Sequence, residues 1–177
     1  MKSIRKSVFE TNSSSTHSLT LVQKCGKNNY ILSENGYLEA GFDDYFSEYS
    51  YDVYSTVEEK LRFLLTLLAS FYYEYKRNEH FKQTGKWLYG QYTTQKELKS
   101  MEEFKEIQKL VKKNIPNCKG LRFRKNSFNE NGEVAGGIDT HHHHECHNLN
   151  SYLKKNGITL EQFLFSPHIV IQMNVNV

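Results

Sequence analysis

The pattern of apolar and polar residues predicts strands at both ends of the chain. Residues 4–10 and 17–23 are predicted to be strands joined by a turn rich in Ser and Thr. Residues 167–177 alternate apolar and polar, and the apolar positions on one face are Ile169, Ile171, Met173 and Val175. Because side chains of a strand point to opposite faces in turn, this pattern indicates half-buried strands. The turn signals further along the chain predict shorter strands at 30–32, 121–125 and 133–139, the last two joined at 129–132.

Helical periodicity is concentrated in the middle of the chain. The segment 56–59 has the form of a capping box, and a helix is expected to run from there to about residue 77. Its apolar residues at helical spacing are Leu61, Leu64, Leu65, Leu68, Phe71, Tyr72 and Tyr75. A second capping box at 100–103 opens a helix that should end before Pro116. Between the two helices, 81–92 looks irregular, with Trp87 as a packing anchor.

Two short helices are expected near the C-terminus, one over 150–156 that Gly157 can end and one that begins at Thr159. The order of elements predicts an α+β protein with a mainly antiparallel sheet packed against two main helices. We expect a single domain over 1–177, with a helical segment at about 56–114 inserted between N-terminal and C-terminal strands.

Charge is distributed unevenly in a chain whose net charge is only +3. Residues 33–59 hold eight acids and no Lys or Arg, whereas residues 76–125 hold fourteen bases and five acids, a difference of +9. The two segments could face each other within the fold or be solvated surfaces. They could also bind partners, an acidic surface in a basic channel or a basic face on nucleic acid.

Composition predicts a soluble, cytoplasmic protein that does not enter a membrane. The three cysteines are Cys25, Cys118 and Cys146, an odd number with no disulfide pattern. The longest apolar stretch, 61–73, is interrupted by Arg62 and is too short to span a bilayer. Hydrophobic residues at 38% and aromatic residues at 14% are sufficient for a core with many aromatic side chains.

A histidine cluster is the first candidate site. Five of the eight histidines lie within 141–147. Imidazole and thiolate are the ligands that zinc prefers, so zinc is the expected metal. The expected ligands are His141, His143, Cys146 and His147. The spacing follows no standard zinc motif, so a solvent-exposed polar loop remains the alternative.

The hydroxyl-rich turn near the N-terminus is the second candidate site. Six of the eight residues from 11 to 18 carry a hydroxyl, and His17 lies among them. The hydroxyl and N–H groups would bind phosphate, with His17 as acid or base and Asp139 as a second catalytic group. The phosphate-binding residues would be Ser13, Ser14, Ser15 and Thr16. A purely structural turn is the alternative, because Ser and Asn side chains favour turns.

A basic and aromatic stretch suggests nucleic-acid contact. Residues 121–125 interleave bases with an aromatic ring, and the expected contacts are Arg122, Arg124 and Lys125. Any exposed basic strand has the same pattern. Strong salt dependence of binding would distinguish nucleic-acid contact from a solvated strand.

The opening stretch resembles the start of a family of small, mostly uncharacterised proteins encoded by phages and mobile elements. The similarity lies in residues 5–19, which contain FETNSSSTHS, and more loosely in 137–141 and 163–165. It covers about a third of the chain. The resemblance implies a phage-type accessory protein without an established activity. Such proteins often counter host defences, by binding a defence protein or by degrading or sequestering a nucleotide signal, so an anti-CRISPR-like inhibitor is expected.

Three functions follow from these observations. The first is binding to a host defence protein, such as a CRISPR effector, through the acidic, tyrosine-rich segment. Its expected interface is Asp43, Asp44, Tyr45, Glu48, Tyr49 and Asp52. The second is a metal-dependent phosphoester or nucleotide hydrolase that uses the hydroxyl-rich turn and the histidine cluster. The third is a nucleic-acid-binding module.

Overall fold

The computed structural model describes residues 3–10, 15–22, 30–42, 53–90, 92–134, 153 and 157–175; of 3–10, 15–22 and 171–175 it describes the backbone. Both helices and strands are present, which confirms the mixed α+β class. The strands are β1 (Ser3–Glu10), β2 (Ser15–Val22), β3 (Leu38–Ala40), β4 (Val53–Tyr54), β5 (Leu121–Phe123) and β6 (Ile169–Val175). The helices are α1 (Val57–Thr84), α2 (Gln95–Ser100), α3 (Glu102–Asn114) and α4 (Leu160–Phe165).

The strands form two separate sheets. One has the order β1-β2-β6-β4 with antiparallel pairs, so β6 from the far end of the chain lies between β2 and β4. The other is a parallel pair of β3 and β5, in which Leu38 is opposite Leu121. Within it, β3 contacts α1 and β5 contacts α3. The expected packing of a mainly antiparallel sheet on the two main helices is therefore wrong for this part of the core. A parallel pair needs a long crossover, and α1 to α3 supply it.

Helix α1 begins as predicted and ends later. Thr56 accepts a hydrogen bond from the Glu59 N–H at 3.2 Å, and the Glu59 carboxylate accepts one from the Thr56 N–H at 2.9 Å. The helix passes the predicted end at 77 and stops at Gly85, whose φ of +69° is the left-handed conformation that favours glycine. The helix continues beyond the last apolar residue of the stripe, because the polar residues that follow are good helix formers.

The capping box between α1 and α3 is six residues earlier than predicted. Thr94 and Glu97 form it at the start of α2, with 2.7 Å between the Thr94 nitrogen and a Glu97 carboxylate oxygen. Ser100 is the last residue of α2 instead, and Met101 precedes α3 without a side-chain cap. Helix α3 ends before Pro116, as expected. The sequence offers two Thr/Ser-x-x-Glu patterns here, and packing of Leu98 in the core favours the first.

The core lies between α1, α3, α4 and the β3–β5 pair. The first half of α1 is buried on nearly all sides, with Leu61 and Leu65 completely inaccessible. Beside it, four rings contact one another in stacked and edge-on arrangements, at centroid distances of 4.9 to 5.6 Å: Phe42, Phe104, Phe123 and Phe128. An aromatic core was expected from the composition, and these rings provide it.

The C-terminal elements are closed by local hydrogen bonds. Thr159 and Gln162 form a third capping box, at the start of α4. Of the predicted helix 150–156 only Leu153 is described; it is buried, and its carbonyl accepts the N–H of Ile158 at 2.8 Å across Gly157, as at a helix end. Lys60 of α1 is fully buried and donates to the Ser166 carbonyl at 2.8 Å, which ties α1 to the end of α4.

The predicted turn at 129–132 is present. The N–H of Gly132 donates to the Asn129 carbonyl at 3.0 Å, and Phe128 and Val134 form an antiparallel bridge. Residues 135–139 of the expected partner strand lie outside the described residues. In the predicted strand 30–32, Leu32 makes a single bridge to Leu38.

Candidate functional site

Two of the predicted sites fall outside the described side chains. Thr16 and His17 lie on the backbone of β2, where His17 is opposite Phe9 of β1 and Met173 of β6. Ser15 is the first residue of β2 and is opposite Val175 of β6, while the other predicted residues of the two sites lie outside the described residues. The predicted residues concerned are Ser13, Ser14, Ser15, Thr16, His17, Asp139, His141, His143, Cys146 and His147.

The predicted acidic interface also lies outside the described residues: Asp43, Asp44, Tyr45, Glu48, Tyr49 and Asp52. Among the residues that are described, no group of three or more His, Cys, Asp or Glu side chains is placed to hold a metal ion. No helix in the described ranges combines the length and the apolar character needed to cross a membrane.

The basic segment 76–125 is partly neutralised within the fold. Six of its fourteen bases form ion pairs with carboxylates: Lys76, Arg77, Lys82, Lys105, Lys113 and Arg124. All three residues predicted to contact nucleic acid are exposed. Arg124 forms an ion pair with Glu58, whereas Arg122 and Lys125 form none with a described carboxylate. The charge excess in the sequence thus overstates the free positive charge.

Of the eight remaining bases of this segment, three lie close to the beginning of the β3–β5 pair: Lys112, Lys119 and Arg122. The Arg122 guanidinium lies over the Tyr37 ring, 3.4 Å from its centroid. Lys119 reaches Gly36, where its Cε would be 3.6 Å from an added Cβ, and Lys112 of α3 approaches Gly120 in the same way at 3.0 Å. We call Tyr37, Lys112, Lys119 and Arg122 the basic sheet surface. All three bases are exposed.

A second surface is formed where α1 emerges from the core. Phe81 and Trp87 stack with their ring centroids 4.3 Å apart and their planes at 19°. They are 41% and 44% exposed, and Tyr89 is 75% exposed. The Arg77 guanidinium lies 5.2 Å from the centroid of the Trp87 ring. We call Arg77, Phe81, Trp87 and Tyr89 the aromatic end surface. Trp87, predicted as a packing anchor, thus packs against Phe81 and Arg77 but stays partly exposed.

The aromatic end surface is held by a layer beneath it. The Arg77 guanidinium also lies 5.7 Å from the ring of Tyr73, which is 7% exposed, and forms an ion pair with Glu74 at 2.8 Å. The Tyr73 ring contacts Tyr92 at 5.3 Å. Burial is the main cause that raises the pKa of Tyr73, so its hydroxyl is neutral at physiological pH. The cation–π contacts fix Arg77 and Trp87 relative to the core.

Sequence reasoning missed this surface because its residues do not belong to one periodic stripe. Arg77 and Phe81 are on the last turns of α1, and Trp87 and Tyr89 lie in the loop after Gly85. The available signal was a cluster of aromatic residues next to two glycines, Gly85 and Gly90, both with positive φ. Such glycines allow the chain to reverse so that loop rings reach the helix.

Comparison of the chain with protein-family models, with curated proteins and with solved structures gives no match. Function therefore has to be inferred from the two surfaces and from the residues that form them.

Proposed function

We propose that the protein counteracts a bacterial host defence system by binding a defence protein, with a CRISPR effector as the first candidate. The observation that carries this proposal is the exposed Phe81–Trp87 stack of the aromatic end surface. The resemblance of residues 5–19 to proteins of phages and mobile elements supports the biological setting.

The aromatic end surface has the composition of a binding hot spot. Trp, Tyr and Arg are the residues that most often dominate the free energy of protein–protein binding. Here Trp87 and Arg77 are already held by contacts to Phe81 and Tyr73, so their side chains lose little conformational freedom on binding. Exposing aromatic rings to water is unfavourable in free energy, and a partner that covers them would gain that free energy on binding.

The acidic segment belongs to the same proposal as a second interface. Asp43, Asp44, Glu48 and Asp52 would provide negative charge that directs encounter with a basic partner, while the aromatic end surface would supply most of the binding free energy. The two contributions can be separated, because charge affects the association rate and its salt dependence, whereas a buried aromatic contact affects the dissociation rate.

The test is the plating of a targeted phage on bacteria that carry different CRISPR systems, with and without expression of the protein. The wild-type chain should restore plating in at least one host, and the variant Phe81→Ala/Trp87→Ala should not. With the purified effector from that host, loss of the two rings should weaken binding at least about 30-fold, the equivalent of about 2 kcal/mol at a hot spot.

Tyr75→Ala provides the matched control. Tyr75 is an exposed aromatic residue of the same helix, 60% accessible, and its ring lies next to Tyr72. This variant should bind and inhibit as the wild type does. Wild-type protein that neither changes plating in any host nor binds any of the effectors would show the proposal to be wrong. Binding that survives in Phe81→Ala/Trp87→Ala but not after reversal of Asp43, Asp44, Glu48 and Asp52 to Lys would move the interface to the acidic segment.

A further inference from the structure

The basic sheet surface is separate from the aromatic end surface and differs from it in chemistry. It comprises Tyr37 directly before β3, Lys112 in the last turn of α3, Lys119 in the loop before β5 and Arg122 in β5. Lys112, Lys119 and Arg122 form no ion pair with any described carboxylate, in contrast to the six bases of the same segment that do. Positive charge that the fold leaves unpaired on one face is a feature of anion-binding surfaces.

The backbone beneath these side chains is firmly placed. The Gln108 amide donates to the Leu121 carbonyl at 2.8 Å and accepts the Leu121 N–H at 2.9 Å, so α3 holds β5 from one side. On the other side, the N–H of Lys119 donates to the Gly36 carbonyl at 2.8 Å. The three bases therefore extend from fixed points, and their spacing is set by the fold.

The contact between Arg122 and Tyr37 adds a flat platform. The guanidinium carbon lies over the ring at 3.4 Å from its centroid, and Arg122 is an exposed residue. Unstacked bases of single-stranded nucleic acid stack on aromatic rings and on guanidinium planes in this manner, while lysines contact the phosphates. A guanidinium held flat by a tyrosine is already oriented for this contact.

From this arrangement we propose that the basic sheet surface binds single-stranded nucleic acid without sequence preference, with a base stacked on Arg122 and phosphates on Lys112 and Lys119. This activity is independent of the proposed inhibition, because it uses other residues. Glu39, which is opposite Arg122 in the sheet and exposed, limits the net positive charge, so we expect few phosphate contacts and moderate affinity.

The test measures binding of fluorescent single strands of about 20 nucleotides, one DNA and one RNA, by anisotropy over a range of salt concentrations. If the positive charges of Lys112, Lys119 and Arg122 each release counterions from the strand, the logarithm of the affinity should fall with a slope of about −2, or about 16-fold between about 50 and about 200 mM salt. In Lys112→Gln/Lys119→Gln the slope should shrink to about −0.7, which is about threefold over the same range. Arg122→Lys keeps the charge and should lose about tenfold in affinity at an unchanged slope, because one stacked base is lost.

The matched control is Lys82→Gln/Lys86→Gln. It also removes two positive charges, one in the last turn of α1 and one in the loop that follows. It should leave both affinity and slope unchanged. The proposal is overturned if neither strand binds at about 50 mM salt, or if the control lowers the slope as much as Lys112→Gln/Lys119→Gln does. Equal affinity for a duplex of the same length would also overturn it, because general attraction of polyanions would then explain the binding. Thermal unfolding of each variant verifies that it is folded.

Discussion

Gln108 of α3 makes both hydrogen bonds that a neighbouring strand would make to Leu121 of β5. Its side-chain nitrogen lies 2.8 Å from the Leu121 carbonyl oxygen, and its side-chain oxygen lies 2.9 Å from the Leu121 nitrogen. Since β5 pairs with β3 on one edge, the amide of Gln108 satisfies the backbone at the other edge. A helix thus takes the place of a third strand in this small sheet, and it does so directly below the basic sheet surface.

Replacing Gln108 by Leu should destabilise the protein by about 2–3 kcal/mol. The change removes two hydrogen bonds and leaves the N–H and carbonyl of a residue that is only 4% exposed without their partner. Urea unfolding measures the difference. Lys109→Ala, an exposed change on the same helix, should stay within about 0.5 kcal/mol. A cost for Gln108→Leu no larger than that of Lys109→Ala would contradict the role assigned to this amide.

Gly120→Ala should be more destabilising than Gly85→Ala, although both residues have positive φ. At Gly85, φ is +69° and an added Cβ meets nothing within 4 Å, so only the backbone conformation is penalised, by about 1 kcal/mol. At Gly120, φ is +136° and the Cβ would lie 2.9 Å from the Gln108 side-chain oxygen. The steric conflict should add about 1–3 kcal/mol. Equal losses in urea unfolding would show that the side chain of Gln108 moves away without cost.

Thr94→Ala should cost about 1 kcal/mol, and Ser100→Ala only a few tenths. Thr94 is the N-cap of α2 and accepts the N–H of Glu97 at 3.3 Å, whereas the Ser100 hydroxyl is exposed and donates to the Glu97 carbonyl at 2.6 Å. The sequence pattern alone predicts the reverse order. Thermal or urea unfolding of the two variants distinguishes the capping box in the structure from the one in the sequence.

Glu59 should make stability depend on pH below about 5. Burial would raise its pKa, but hydrogen bonds from Thr56 and Ser55 outweigh this effect and place the pKa below 4.5. Because the pKa is lower in the folded than in the unfolded state, the stabilisation is present above 4.5 and is lost as the pH falls through the folded value.

Glu59→Gln keeps an acceptor at the same position and provides the measurement. The variant should be less stable than the wild type by about 0.5–1 kcal/mol at neutral pH, and the difference should shrink as the pH falls below the folded pKa. Ser100→Ala, an exposed change that removes no titrating group, is the control and should differ from the wild type by the same amount throughout this pH range. A difference for Glu59→Gln that stays constant with pH would exclude this source of the pH dependence.

Local signals were sufficient for the elements whose hydrogen bonds are local. The capping boxes at Thr56 and Thr159, the end of α3 before Pro116 and the turn at 129–132 all depend on residues within four positions of each other. The same reasoning gave the wrong box near Ser100 because two patterns compete there, and burial of Leu98 decides between them. The helix end at Gly85 was missed because the apolar stripe ends before the helix does.

The sequence by itself determined the mixed class of the fold, the starts of α1 and α4 and an aromatic core, since capping and periodicity act over a few residues. Only the tertiary structure decided that β3 and β5 pair in parallel, because Leu38 lies 82 positions from its neighbour Gly120 and no local pattern specifies which strands meet. It also decided which charges and rings remain available. Arg124 is neutralised by Glu58, Arg122 is stacked on Tyr37, and Trp87 lies at the surface, because contacts between distant segments set the pairing and exposure of each side chain.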